Sequence, residues 1–263
     1  MTANDIISAI EAYAPPYLQE SYDNTGLQVG DPEGPVGGVL VCMDVTEAIL
    51  DEALERGCNM VVSHHPLLFH GVKCVAGRNR PERVLAKACA MGITVYSTHT
   101  AMDSAPGGVS WRMARMMGLE DVHTLVPQPA HPGAGLGVVG NLPDGEALTP
   151  EEFARRVKAV FGTPTLRLSH WPEGLRISRV ALCGGSAAEF LPEAIAAGAQ
   201  AYVTADAKLN QFLDHAHRIL LVDAGHFETE VCTKEIICEI LSEKFPNFAV
   251  CKSEKETNPI IYL

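Results

Sequence analysis

An α/β fold of two related lobes, each built on a mostly parallel sheet, is predicted by three features of the sequence. Short apolar runs, such as Val39-Leu40-Val41-Cys42-Met43 and Met60-Val61-Val62-Ser63, alternate with amphipathic stretches of helical length. Glycine or proline falls where those stretches end. The alternation breaks once, near residues 125–150, and so divides into two series.

Residues 2–14 read as a helix, with Ile6, Ile7, Ile10 and Tyr13 on one side and Pro15-Pro16 stopping it. A buried strand follows at 39–43. Thr46 then caps a helix that runs to Arg56 and ends at Gly57. Strands at 60–63 and 93–97 flank a helix at 81–91, and a further helix at 109–117 ends at Gly118. Strand–helix alternation of this kind places parallel strands in a sheet covered on both faces.

Between Pro127 and Gly145 the chain is dense in Pro and Gly, with one short strand expected at 136–139. Thr149-Pro150-Glu151-Glu152 opens a helix with a capping box. Strands at 180–183, 201–204, 219–222 and 248–251 then alternate with helices at 187–197, 207–216 and 229–245. The expected division is an N-terminal lobe, 1–125, a Gly/Pro-rich connection, 126–150, and a C-terminal lobe, 151–263.

The 263 residues carry 20 Lys+Arg against 32 Asp+Glu, a net charge of −12. At 47% hydrophobic there is ample material for a core, which excludes a disordered chain. The acidic balance argues against broad binding to nucleic acid or an anionic membrane. No basic and apolar leader occupies residues 1–20, and no apolar run reaches the roughly 20 residues of a membrane span. None of the eight cysteines forms a Cys-x-x-Cys pair. The expectation is a cytoplasmic protein with free, mostly buried thiols.

Three segments at strand ends carry the chemistry. Ser63-His64-His65-Pro66 follows one strand directly, and carboxyl ends of strands line the ligand crevice of open α/β sheets. Adjacent side chains on an extended backbone diverge, so His64 and His65 would face different targets. Ser97-Thr98-His99-Thr100-Ala101-Met102-Asp103 follows another strand, where Asp103 is a hard oxygen donor or a plain turn residue. In Asp223-Ala224-Gly225-His226-Phe227-Glu228-Thr229-Glu230, His226 and Glu230 share a face if a helix begins there. Together His64, His65, Asp103, His226 and Glu230 suit one or two borderline divalent ions such as Zn²⁺, Fe²⁺, Mn²⁺ or Ni²⁺. Gly184, Gly185 and Ser186, between a strand and a helix, read as a tight turn or as an anion seat.

The segments SHHPLLFHGVK, STHTAMD and DAGHFETE, in this order and with SYDNTGLQVGDP ahead of them, resemble the signature of the Nif-three-like family. Its members are named GTP cyclohydrolase I type 2 homologs. The resemblance spans the chain and matches the short form, without the inserted domain of longer relatives. It implies two divalent ions per chain in a dinuclear centre in the cleft between the lobes, and a toroidal homohexamer. His65 and Asp103 would bind one ion, His64 and His226 the other, with Glu230 bridging. His99 matches a pocket histidine that is not a ligand, and Asn24, Thr25 and Gly26 border that pocket. Two departures stand out: Ala101-Met102 replaces a common Asn-Leu, and the run from Thr204 to Asn210 lacks the usual Gly-Asp start and histidine.

The function implied is that of a metal-dependent hydrolase acting on a nucleotide-like or other small substrate, with His99 as the catalytic proton carrier. Neither a GxSxG elbow nor a GxxxxGK[ST] loop competes with it. The alternative is a protein that handles metal, or serves as an interaction platform, without catalysis.

Overall fold

The structure, a computed structural model, describes residues 1–263. The chain starts with α1 (Ala3–Tyr13), β1 (Gly26–Val29), β2 (Val39–Cys42), α2 (Glu47–Glu55), β3 (Met60–Ser63), α3 (Arg80–Met91), β4 (Thr94–Ser97) and α4 (His99–Ser104). It continues through α5 (Val109–Met117), β5 (Glu120–Pro127), β6 (Gly135–Asn141), α6 (Pro150–Phe161), β7 (Arg167–Leu168) and β8 (Arg179–Ser186). The last elements are α7 (Leu191–Ala196), β9 (Ala201–Ala205), α8 (Leu209–Asp214), β10 (Leu220–Asp223), α9 (His226–Glu230), α10 (Thr233–Lys244) and β11 (Val250–Lys252).

Local chemistry explains most of the boundaries. Thr2 and Asp5 exchange hydrogen bonds in a capping box at the start of α1, and Thr149 and Glu152 do the same for α6. The Thr46 hydroxyl accepts from the Ile49 amide and opens α2. Gly118 ends α5 in the left-handed conformation, φ 70°. No helix is long and apolar enough to cross a membrane.

The chain forms two compact units, Met1–Ala105 with Thr233–Thr257, and Pro106–Cys232 with Asn258–Leu263. This differs from the expected division at 125–150. The segment read as a connection contains the whole of β6, which pairs with β5 inside the second unit. The segment read as the last strand of the C-terminal lobe, β11, pairs in parallel with β2 of the first unit.

The first unit's sheet has the order β1-β4-β3-β2-β11. Its four strands β4, β3, β2 and β11 run parallel, and β1 is an antiparallel edge. Every residue of β2, β3 and β4 is buried, as expected for strands covered on both faces. The second sheet has the order β5-β6-β8-β9-β10-β7 and is mixed, so the mostly parallel expectation holds only for the first. Only β8–β9 and β9–β10 are parallel there. The short link between β5 and β6 permits only a hairpin, which is antiparallel.

The end of the first unit is clamped by two buried carboxylates. Glu52, on α2, accepts from the Ser253 hydroxyl at 2.6 Å, from the Glu254 and Lys255 amides at 2.8 and 3.2 Å, and from Arg56 at 3.2 Å. Glu256 reaches back to the end of β2, accepting from the Met43 and Asp44 amides at 2.9 Å and from Lys234 at 3.0 Å.

Candidate metal centre

In the first unit the site residues gather because three parallel strands stop in register. Cys42 pairs with Ser63, and Ser63 with Ser97. The residues just beyond them, Asp44, His64, His65 and His99, therefore emerge side by side at the carboxyl edge of the sheet. Backbone hydrogen bonds continue past the strands: His64 N–H donates to Cys42, His65 N–H to Met43, and His99 N–H to the His64 carbonyl. The three imidazoles lie close, with ring centroids 5.0 Å apart for His64–His65 and 5.7 Å from His99 to each.

His64 and His65 have different partners, as divergent neighbours should. His64 is fully buried, and its Nε2 lies 3.7 Å from Asp103 Oδ1. His65 donates from Nδ1 to Asp44 Oδ2 at 3.0 Å, and Asp44 is also held by Arg80 at 3.0 Å. Burial raises the Asp44 carboxyl, but the bonds and charges of His65 and Arg80 outweigh it and hold the group well below the usual carboxylate range. His99 donates from Nδ1 to Asp23 Oδ1 at 2.5 Å, and Asp23 also receives the Thr100 amide and hydroxyl. Against the cost of burial, these bonds keep Asp23 ionised. They also hold His99 at φ 24°, a backbone angle rarely adopted outside glycine.

In the second unit β8, β9 and β10 likewise stop together, with Ser186 opposite Ala205 and Thr204 opposite Asp223. Gly225 turns the chain into α9, whose first and last residues are His226 and Glu230. The two share one face, His226 Nε2 lying 3.0 Å from Glu230 Oε2. On its other side His226 donates from Nδ1 to Asp206 Oδ2 at 2.6 Å. Burial opposes a charged ring, yet Asp206 and Glu230 push its pKa up to about 11. His226 Nε2 and Glu230 Oε2 thus converge, two atoms of the kind that ligate metal ions.

The turn at Gly184-Gly185-Ser186, read as a tight turn or an anion seat, lies against Glu230 and His226. Gly185 N–H donates to the Thr229 hydroxyl at 3.0 Å and Ala187 N–H to Thr204, so these amides are committed. Glu230 rests against Gly185, where a Cβ would collide with its carboxylate and approach His226 Nε2 to 3.3 Å.

Sequence reasoning missed the carboxylates behind the histidines: Asp44 for His65, Asp206 for His226 and Asp23 for His99. A signal existed for two of them, since Asp206 directly follows β9 and Asp44 lies two residues past β2, where side chains line the sheet edge. Carboxylates on Nδ1 fix the tautomer and turn Nε2 outward, the usual support of metal-binding histidines.

Fold and side chains thus define an α/β protein with two mixed sheets and side chains of metal-ligand type in each unit, His64 and His65 in the first and His226 and Glu230 in the second. The chain belongs to the Duf34/NIF3 (NGG1p interacting factor 3) family, whose model matches residues 1–259. It is 31% identical over 271 residues to a Streptococcus pneumoniae protein named GTP cyclohydrolase 1 type 2 homolog, covering 100% of both chains. It is 30% identical to the Schizosaccharomyces pombe protein NIF3 homolog, over 90% of this chain and 87% of that one. A Staphylococcus aureus crystal structure superposes with a TM-score of 0.90 at 27% identity, covering 100% and 99% of the two chains.

Proposed function

We propose that the protein binds two divalent ions per chain and uses them to hydrolyse a nucleotide-like or other small substrate. The observation that carries this reading is the support given to the imidazoles: His65 on Asp44 at 3.0 Å and His226 on Asp206 at 2.6 Å. The family resemblance gives His64, His65, Asp103, His226 and Glu230 as the ligands. This set of three imidazoles and two carboxylates fits borderline ions such as Zn²⁺, Fe²⁺, Mn²⁺ or Ni²⁺. Divalent ions at such donors polarise a substrate and activate water. His99, its Nδ1–H committed to Asp23, presents Nε2 as a proton acceptor and is the proton carrier of the reaction. The name of the Streptococcus pneumoniae relative supports hydrolysis of a purine nucleotide as the first activity to assay.

Element analysis of the purified protein, beside a panel of nucleotides and phosphoesters, tests this reading. About two ions per chain are expected, with turnover of a panel member that vanishes in His64→Ala. Metal absent after dialysis and not regained on addition would overturn the site. Metal held without turnover would favour the alternative of a metal-handling protein or interaction platform, which the family's description as an interacting factor suggests.

The family likeness also supports a toroidal homohexamer. A light-scattering mass well above twice 28.2 kDa is expected, and a mass near 28.2 kDa would end that assignment.

A further inference from the structure

Beside His99 the first unit holds two large aromatic side chains at its surface. Tyr22 is 62% exposed and Phe69 40%. Their rings meet edge to face, with centroids 6.5 Å apart at 65°. Phe69 stands at 89° to the His99 ring, 5.8 Å away, and packs on His70 at 4.9 Å.

Exposed aromatic surface is unfavourable in water, so a side chain free to fold away would do so. Here the backbone beside Phe69 is pinned. The Leu68 amide donates to Gln28 Oε1 at 3.1 Å, and its carbonyl accepts from Asn24 Nδ2 at 2.8 Å. Gln28 is itself tied to the Asn24 and Gly26 carbonyls at 2.8 and 3.2 Å. Three consecutive residues therefore serve one corner: Tyr22 meets Phe69, Asp23 holds His99, and Asn24 fixes the loop carrying Phe69. The polar bonds are spent on keeping an aromatic pair in place next to the proton carrier.

We propose that Tyr22 and Phe69 form a ring-binding wall, which receives a flat aromatic or heteroaromatic ring of a small-molecule ligand and sets its approach to His99. An aromatic pair of this kind favours a conjugated ring over a saturated ring of the same size. The wall makes Phe69 and Tyr22 specificity-determining residues of the site proposed above. That the bound molecule is a substrate rests on the hydrolase reading, whereas ring binding itself requires no metal.

The test uses the full chain, metal-loaded and metal-stripped, with 2-naphthalenemethanol and its decahydro analogue as neutral probes titrated by saturation-transfer NMR. The aromatic probe is expected to bind the parent in both forms, and the saturated one at least several-fold more weakly. Phe69→Leu, which keeps apolar bulk, should raise the dissociation constant about tenfold, with unchanged metal content and circular dichroism. Phe69→Trp should retain binding. Equal binding of both probes, no binding to the parent, or parent-like binding by Phe69→Leu would overturn the wall. Ring binding in a protein that holds no metal would leave the wall standing and remove the metal reading, so the two failures are distinguishable.

Discussion

Glu230→Gln is expected to give a folded protein that holds less than half the metal of the parent. In the proposed centre two divalent ions would bring +4, and among its five donors only Asp103 and Glu230 would bring −1 each. Removing Glu230's charge halves that compensation in a site where Glu230 is almost wholly buried and the dielectric is low. The family resemblance gives Glu230 the bridging role, so its loss should weaken both ions, and loss of His64 chiefly one. The fold should survive, because Gln fills the same space against Gly185 and can still bond to His226. Metal stoichiometry beside circular dichroism, on Glu230→Gln and His64→Ala, decides the matter. Full metal in Glu230→Gln with none in His64→Ala would show that the bridging role is misassigned.

The largest stability loss is expected from Glu52→Ala. The substitution strips partners from the Ser253 hydroxyl, the Glu254 and Lys255 amides and Arg56 at once. Buried donors left unpaired cost about 1–3 kcal/mol each when they cannot reach water. Because the segment can shift toward solvent, about 3 kcal/mol in total is a reasonable expectation. The pH dependence has a definite sign. Burial raises the Glu52 carboxyl, but its four donors bring it below the ordinary 4.5. A carboxyl lowered in the folded state contributes its full stability above its unfolded pKa and loses it as pH falls through the folded value. Denaturant melts should therefore show a wide gap between parent and Glu52→Ala at pH 7, narrowing below about pH 4.5. A constant gap across that range would show that the carboxylate charge is not what holds the segment.

Much of this architecture was legible because its strongest elements rest on local chemistry. Residues 60–63 are a strand as read, and α2 and α6 start at the threonines that cap them. The parts that escaped depend on distant partners. In β5, polar Glu120, His123 and Thr124 sit among apolar residues, and only pairing with β6 makes the segment a strand. The two-residue β7 exists only through its pairing with β10. The chain positions of β11 and α10 suggested the second unit, yet no local pattern records that β2 is the partner of β11. The same holds for the site. Histidines at strand ends announce themselves, and the four-residue spacing of His226 and Glu230 places them on one helical face. Asp206, 20 residues from His226, and Asp23, 76 from His99, are revealed only by the folded chain.

The discontinuity of the first unit bears on how a ribosome can deliver it. Residues 1–105 emerge early, but α10, which packs on α1, and β11, which closes the sheet beside β2, come after residues 106–232 of the second unit. Until residues 233–257 have been synthesised, β2 is an open sheet edge, and its run Val39-Leu40-Val41-Cys42 is left without its final cover. An apolar edge of this kind is a template for pairing with other nascent chains during the seconds that translation takes. The Glu256 carboxylate that caps the end of β2 at Met43 and Asp44 arrives later still. The Asp44 that supports His65 is therefore among the last parts of its unit to be fixed. Ligand geometry in the first unit then matures only at the end of synthesis, and a nascent chain stalled before residue 233 would display His64 and His65 without the finished scaffold that aligns them.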